Sequence, residues 1–183
     1  MKMRDIASYI GIGASAVVLA TGCATSTPKA QFSQPIAPAS LIAAKDEAKV
    51  KVEAAADVQI MKTEMAMLAE RIEMKIAGRQ IGNRRDGEKK TYEVNLLLTR
   101  YEKGSAFARA MLAGLGQIHI DGEVTLFEMP AKNQVGKFTI NKTFAWGGIY
   151  GGTTSMETIE QTFADGIAAA LTGQQEEQKK EEK

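Results

Sequence analysis

The sequence contains a single cysteine and a single histidine among its 183 residues. One cysteine cannot close a disulfide within the chain. Catalysis by a serine or cysteine nucleophile needs a base beside it, and here only His119 could serve. The sequence also has no G-x-S-x-G motif, which carries the nucleophile of many serine hydrolases. We therefore predict that the protein is not an enzyme, although catalysis by carboxylates alone stays open.

Long apolar runs are also missing, with one exception near the N-terminus. Residues 6–20 are mostly apolar and follow two basic residues, but the run is shorter than the roughly 20 residues that a membrane-spanning helix needs. This layout is typical of a signal peptide. The run ends in Leu-Ala-Thr-Gly-Cys at residues 19–23, which resembles the lipobox of bacterial lipoproteins, with Ala20 where leucine or valine is usual. We predict that residues 1–22 are a lipoprotein signal peptide.

Cys23 follows this segment and has several interpretations. A buried thiol, a reactive thiol and half of an intermolecular disulfide are the ordinary ones. The apolar run before it and the stretch rich in Pro, Ser, Thr and Ala after it favour lipidation instead. By resemblance to lipoproteins, the sulfur carries a diacylglyceryl group, and acyl chains such as palmitate make the attachment durable. Ala24 then implies the outer membrane, facing the periplasm, and residues 23–45 are predicted to be a flexible tether.

A charge excess of either sign is absent, since the 23 basic residues nearly match the 22 acidic ones. A chain of this kind lacks the basic excess of proteins that bind nucleic acids. The basic cluster at residues 82–90 is interrupted by Asp86 and Glu88. Residues 173–183 are polar and mixed in charge, so we predict a disordered tail there. We expect no nucleic acid among the partners.

Residues 46–172 have the length of a single folded domain. Residues 43–77 are rich in helix-forming residues, and Gly78 is the predicted end of that helix. Within this stretch, residues 49–58 alternate and could be a strand or the first turns of the helix. Residues 156–171 are the second predicted helix. The apolar positions at helical spacing are Met61, Met65, Leu68, Ile72, Ile76, Met156, Ile159, Phe163, Ile167 and Leu171.

Three segments between the helices alternate with a period of two, which predicts strands at residues 91–101, 117–128 and 135–146. The last two are separated by Pro, Asn and Gly, so they are predicted to form an antiparallel hairpin. The predicted inward positions are Tyr92, Val94, Leu96, Leu98, Ile118, Ile120, Val124, Leu126, Phe138, Ile140 and Phe144. We predict an α+β domain, with a small, mostly antiparallel sheet of three to four strands packed by two amphipathic helices.

Residues 102–117 join the first two strands and are too long for a hairpin turn. Arg109 is the only charge in the central part of this segment. Two interpretations remain: a short helix packed on the domain, or an exposed apolar loop that meets lipid or a protein. The large apolar residues of the segment are Phe107, Met111, Leu112 and Leu115.

A glycine-rich connector precedes the second predicted helix and carries Trp146 and Tyr150. Trp146 could simply fill the edge of the core. It could also contact a partner or a membrane, where an apolar ring with a polar group is favoured. We hypothesise that this connector and residues 103–116 lie at the same end of the sheet and form one docking surface. The candidate contact residues are Phe107, Met111, Leu112, Trp146 and Tyr150.

The connector also has the glycine spacing of a phosphate-binding loop, at Gly147 and Gly152. Such a loop needs a lysine to balance the phosphate charge, and Thr153 stands at that position. We therefore expect no nucleotide and no other cofactor. Thr154 and Glu157 fit a simpler role as the capping box of the following helix.

His119, Asp121 and Glu123 alternate along one predicted strand and share a face. A histidine with two carboxylates could bind a divalent metal. One strand alone rarely completes a metal's ligand shell, so the solvent face of a half-buried strand is the favoured interpretation. These three residues are weak metal candidates.

Two long runs of the sequence are similar to a known family. They are TRYEKGSAFARAMLAGLGQIHIDGEV at residues 99–124 and KTFAWGGIYGGTTSMETIE at residues 142–160. Together with the lipobox, they resemble the bacterial envelope family known as domain of unknown function 4410, over residues 57–172. The layout is more loosely similar to curli-secretion and TolB-type lipoprotein domains. The resemblance implies a secreted or lipid-anchored envelope protein and supplies no catalytic residue.

The sequence thus predicts a non-enzymatic, lipid-anchored envelope protein. Its α+β domain would contact a protein partner or further copies of itself, in an assembly or transport complex. The alternative is a lipoprotein that binds a small molecule or lipid in an apolar cavity gated by the glycine-rich loops. A hydrolase with clustered carboxylates is a third interpretation.

Overall fold

The computed structural model describes residues 26–112, 115–145 and 152–175. Five strands and three helices lie along these residues, with a short 3-10 helix at Pro38–Ser40. In chain order they are β1 (Gln31–Gln34), β2 (Glu47–Ala54), α1 (Lys62–Gln80), β3 (Thr91–Glu102), α2 (Ala106–Met111), β4 (Ile118–Met129), β5 (Asn133–Phe144) and α3 (Met156–Leu171). None of the helices within these ranges is long and apolar enough to cross a membrane.

The five strands form one mixed sheet in the order β1-β5-β4-β3-β2. β2 and β3 are parallel, because α1 connects them and returns the chain to the same end of the sheet. The other three pairs are antiparallel. The α+β class is confirmed. The sheet has more strands than the predicted three to four, and a short third helix joins the two that were predicted.

α1 and α3 cover one face of the sheet and enclose the core. Every strand position that was predicted to face inward is buried, because side chains alternate between the two faces of a strand. Leu68, Ile72 and Ile76 of α1 meet the sheet as predicted. Met61 is exposed because α1 begins only at Lys62, so this methionine lies outside the helical stripe.

Of the two interpretations of residues 49–58, the structure supports the strand, which spans Glu47–Ala54. Residues 47–54 pair with β3, and Val50 is buried opposite Val94. At the other end, α1 continues through Gly78 to Gln80, so this glycine does not end the helix. Gly78 has no atom within 4 Å of where a β-carbon would stand, and its backbone stays helical.

The predicted tether also differs from the structure over its described part, residues 26–45. β1 pairs with β5, and Phe32 stacks against Phe138 with 5.2 Å between ring centroids. Ile42 is fully buried, and its N–H donates to the carbonyl of Leu171. This Pro-containing segment is ordered because several of its apolar side chains pack against the core.

Candidate functional site

The connection between β3 and β4 is closed at its base by two glycines. Gly104 and Gly116 both have positive φ angles, of +62° and +70°. The Ser105 N–H donates to the Gly116 carbonyl at 3.2 Å. A β-carbon on Gly104 would fall well inside the contact distance of the carbonyl oxygens of Gly116 and Gln117. Only glycine fits this neck, which holds the two ends of the loop together.

Arg109 ties the loop to the rest of the domain. Its side chain points inward, leaving the residue 3% exposed. The guanidinium donates to the Gly116 carbonyl at 2.8 Å and to the Thr154 carbonyl at 3.0 Å. The hydroxyl of Ser105 begins α2 by accepting the Ala108 N–H. The residue that looked like a lone surface charge in the sequence is thus a buried clamp between the loop and the approach to α3.

The apolar side chains of the loop face outward. This surface, here called the apolar platform, consists of Phe107 (72% exposed), Met111 (68%), Leu112 (52%) and Leu115 (57%). Each of the two predicted interpretations holds in part, since the segment contains a short helix and yet presents its apolar residues to the outside. Such a cluster is typical of a contact surface.

The flanks of the glycine-rich connector reach the platform. A β-carbon on Gly152 would lie 3.2 Å from that of Ala110 in α2, and Arg109 contacts Thr154. The two segments therefore meet at one end of the sheet, as hypothesised. Trp146 and Tyr150 lie outside the described residues.

We expect Arg109→Ala to loosen α2 selectively. The change removes the guanidinium hydrogen bonds to the Gly116 and Thr154 carbonyls, and a hydrogen bond that involves a charged group contributes about 1.5–3 kcal/mol. Hydrogen exchange of the Leu112 amide, which donates to Ala108, should accelerate at least about tenfold. Arg100→Ala is the control, because this arginine pairs with Glu102 on the surface. Unchanged protection of α2 in the Arg109 variant would contradict the clamp.

A buried polar cluster lies beneath the platform end of the two long helices. Arg71 of α1 forms an ion pair with Glu160 of α3, and the Tyr101 hydroxyl donates to Glu160 at 2.6 Å. These groups border a cleft of about 280 Å³. Burial, followed by the adjacent Glu160 carboxylate, raises the pKa of Tyr101, so the phenol stays protonated and serves as a donor rather than a base. The cluster joins α1, α3 and β3. In the sequence, this cluster is visible only as one charged residue beside the buried apolar positions of α1 and one beside those of α3.

Two of the three weak metal candidates have other partners. The Nδ1 atom of His119 lies 3.0 Å from the Thr143 hydroxyl, and Glu123 pairs with Lys137 at 2.8 Å. Desolvation raises the pKa of Asp121. Over the described ranges no three His, Cys, Asp or Glu side chains are grouped as metal ligands would be. These residues do share one face of β4, as the alternation predicted, and it is the face of the sheet that the two long helices leave uncovered.

The predicted cap of α3 is displaced by one residue. Ser155, rather than Thr154, is the N-cap, and its hydroxyl accepts the Thr158 N–H at 3.3 Å. Thr154 instead offers its carbonyl to Arg109. Gly147 of the phosphate-loop spacing lies outside the described residues.

A second exposed feature is the groove between α1 and the edge strand β2. The N–H groups of Glu47 and Ala55 point to the carbonyls of the β3 side. By alternation, the N–H groups of the even-numbered residues from 48 to 54 face away from the sheet. One of them, that of Val50, donates to the Glu73 carboxylate at 2.9 Å. The groove measures about 550 Å³, and its apolar lining is Val50, Val52, Met65, Ala66 and Ala69.

An apolar pocket lies at the opposite end of α3. It measures about 230 Å³ and is lined by Phe32, Ile36, Leu41 and Ala170, among others. Small-molecule pockets commonly measure about 300–1,000 Å³. α3 separates this pocket from Gly152 by a helix length of about 24 Å, so a loop at Gly152 does not border it.

A comparison with solved structures gives matches from several bacteria. The dodecamer of a PelC variant from Paraburkholderia phytofirmans matches with a TM-score of 0.52 at 8% identity, covering 81% of this chain and 99% of that one. A Xanthomonas campestris protein of the DUF330 family model gives 0.43 at 14% identity, with 77% and 92% covered. A Caulobacter crescentus protein described as a lipoprotein gives 0.37 at 15% identity, with 67% and 84% covered. At these identities the first likeness concerns the fold alone.

A comparison with curated proteins gives no match. A family model does match, over residues 27–148, which is more than half of the chain. This range begins well before the predicted residue 57, in agreement with the ordered segment that contains β1. The match confirms the resemblance carried by the two sequence runs: the chain belongs to the family described as Domain of unknown function (DUF4410).

Proposed function

We propose that the protein is a non-enzymatic, lipid-anchored envelope protein whose α+β domain assembles with other proteins. Cleavage after residue 22 and acylation of Cys23 would place it on the outer membrane, facing the periplasm. In this proposal the domain is a building block of an assembly or transport complex, and further copies of the chain are its first partner.

The observation that carries the proposal is the free edge of the sheet at β2. An edge strand offers backbone donors and acceptors to an added strand, and soluble proteins usually protect such edges. Along the described part of this edge, the Val50 N–H is capped by the carboxylate of Glu73. A groove of about 550 Å³ runs beside this edge, with both apolar and charged residues in its lining, so side chains of a partner strand would have a place to pack.

Self-association is supported by the shape of the sheet. Its two edges, β1 and β2, are different and lie on opposite sides. A contact between the β1 side of one copy and the β2 side of the next is heterologous, and heterologous contacts that close produce rings. The PelC variant, which shares the fold, forms a dodecamer.

Ala66→Arg tests the groove. Ala66 lies on the exposed side of α1 within the groove, so arginine there should leave the fold intact and block a partner. We expect self-association of the detergent-solubilised protein, measured by light scattering, to weaken at least about tenfold. Met74→Arg is the matched control, because Met74 is exposed on the same helix and does not line the groove. A monomeric wild type that also captures no envelope protein would overturn the proposal, as would equal assembly by both variants.

A further inference from the structure

The N-terminal segment is held at the platform end of the domain. The Ser26 carbonyl accepts from the Lys142 ammonium at 2.5 Å. From there the chain leads away from the platform, since the Thr27 hydroxyl donates to Asp165 in the second half of α3 at 3.2 Å. Lys142 is only two residues from the end of β5 at Phe144, a distance of about 7 Å along a strand. The first described residue is therefore fixed close to this end of the sheet.

The platform projects from the same end. Phe144, the last residue of β5, pairs with Ile118, the first of β4. The loop that carries the platform directly precedes Ile118. Arg109 of this loop donates to the carbonyl of Thr154, just before α3. The exposed apolar residues and the start of the ordered chain thus share one end of the domain.

Little chain separates this end from the predicted lipid. Cys23 stands three residues before Ser26, so the acylated sulfur can lie at most about 11 Å of extended backbone away. The ordered residues 26–45 replace the long flexible tether that the sequence predicted. An anchor this short cannot let the domain swing freely above the membrane.

We propose that the apolar platform inserts into the lipid leaflet that holds the acyl chains of Cys23. This inference rests on the proposed anchoring. Because the anchor and the platform act together at one end, they fix the orientation of the domain, with the strands directed toward the membrane. The β1 and β2 edges then face sideways, parallel to the membrane surface, where neighbouring copies would meet.

The platform loop carries too little exposed charge for an ionic contact, and it suits contact with the acyl chains of a lipid leaflet. Between Lys103 and Asp121 the only charged residue is Arg109, whose guanidinium is turned into the domain. The surface offered to lipid is therefore apolar and uncharged. Contact between these apolar side chains and acyl chains does not depend on charge, so it should persist at high ionic strength.

Single-cysteine variants of the anchored protein test this inference. Acylation uses the sulfur of Cys23, so a new cysteine would be the only free thiol. Met111→Cys places it on the platform, and Met74→Cys is the matched control, since these methionines are 68% and 67% exposed. Each variant is added to preformed phosphatidylethanolamine–phosphatidylglycerol vesicles. The new thiol is then labelled with a thiol-reactive fluorophore, and quenching is measured with lipids that carry a nitroxide on the acyl chain.

We expect an impermeant maleimide to modify Met111→Cys at least about tenfold more slowly than Met74→Cys, because lipid covers the platform. The fluorophore at position 111 should be quenched by the nitroxide lipid, also in 1 M salt, and the one at position 74 should not. Protection of position 111 without quenching would mean that a protein or a second copy covers the platform, and rapid labelling would mean that it faces water. Either result overturns the inference. A free thiol on the wild-type protein would instead show that the anchoring itself has failed.

Discussion

Replacing Glu160 with alanine is expected to lower the free energy of unfolding by about 3–5 kcal/mol, because it leaves the guanidinium of Arg71 buried without its main counter-ion. Tyr101 loses its acceptor in the same step. These groups join both long helices to β3, so the loss concerns the whole domain. Urea denaturation followed by circular dichroism measures the effect.

Glu157→Ala is the matched control for this change. Glu157 also pairs with Arg71, at 3.4 Å, but its side chain is 67% exposed. An exposed pair contributes about 0–1 kcal/mol. Replacing both buried partners, with Arg71→Met and Glu160→Leu together, should recover much of the loss, because no unpaired charge then remains. A loss below about 1 kcal/mol for Glu160→Ala would contradict the structural role of the cluster.

Gly104→Ala is expected to open the neck of the platform loop. A positive φ costs a side-chain-bearing residue about 1–2 kcal/mol. The new methyl group would also collide with the carbonyls of Gly116 and Gln117, and crowding of this kind costs about 1–3 kcal/mol more. Since both collisions are with backbone, the loop must move. We expect a clear drop in Tm and loss of the 3.2 Å hydrogen bond from Ser105 to Gly116.

For Gly78→Ala we expect the opposite effect, a gain in stability. Gly78 lies inside α1 with open space around it, so alanine should stabilise the helix by about 0.5–1 kcal/mol. If Gly104→Ala were as well tolerated, the neck would not depend on glycine, and the platform would lose its rigid base.

Much of this fold follows from patterns within single elements. Every inward position predicted from the alternation in β3, β4 and β5 is buried, since a period of two leaves few alternatives. The alternation missed Tyr101, which follows an irregularity in the register after Leu98, and Lys142, a buried charge. β1 was missed because it has only four residues and its pairing with β5 is visible only in three dimensions. β2 was ambiguous because residues 49–58 combine alternation with good helix formers.

The candidate site was predicted less completely. Composition identified the platform residues, because a long apolar segment in a hairpin position is unusual. The inward orientation of Arg109 could not be predicted, since it depends on carbonyls from three separate points of the chain. The groove beside β2 is likewise formed by elements whose contact no local pattern encodes.

The anchor at Cys23 determines both the proposed location and the proposed orientation of the domain, and the intact mass of the protein extracted from membranes tests it directly. We predict a chain that begins at Cys23, carries a diacylglyceryl group, and has no free thiol. A chain that retains residues 1–22, or one whose Cys23 reacts with a maleimide after denaturation, would contradict it. The sequence has no other cysteine, so a reactive thiol could come only from this position.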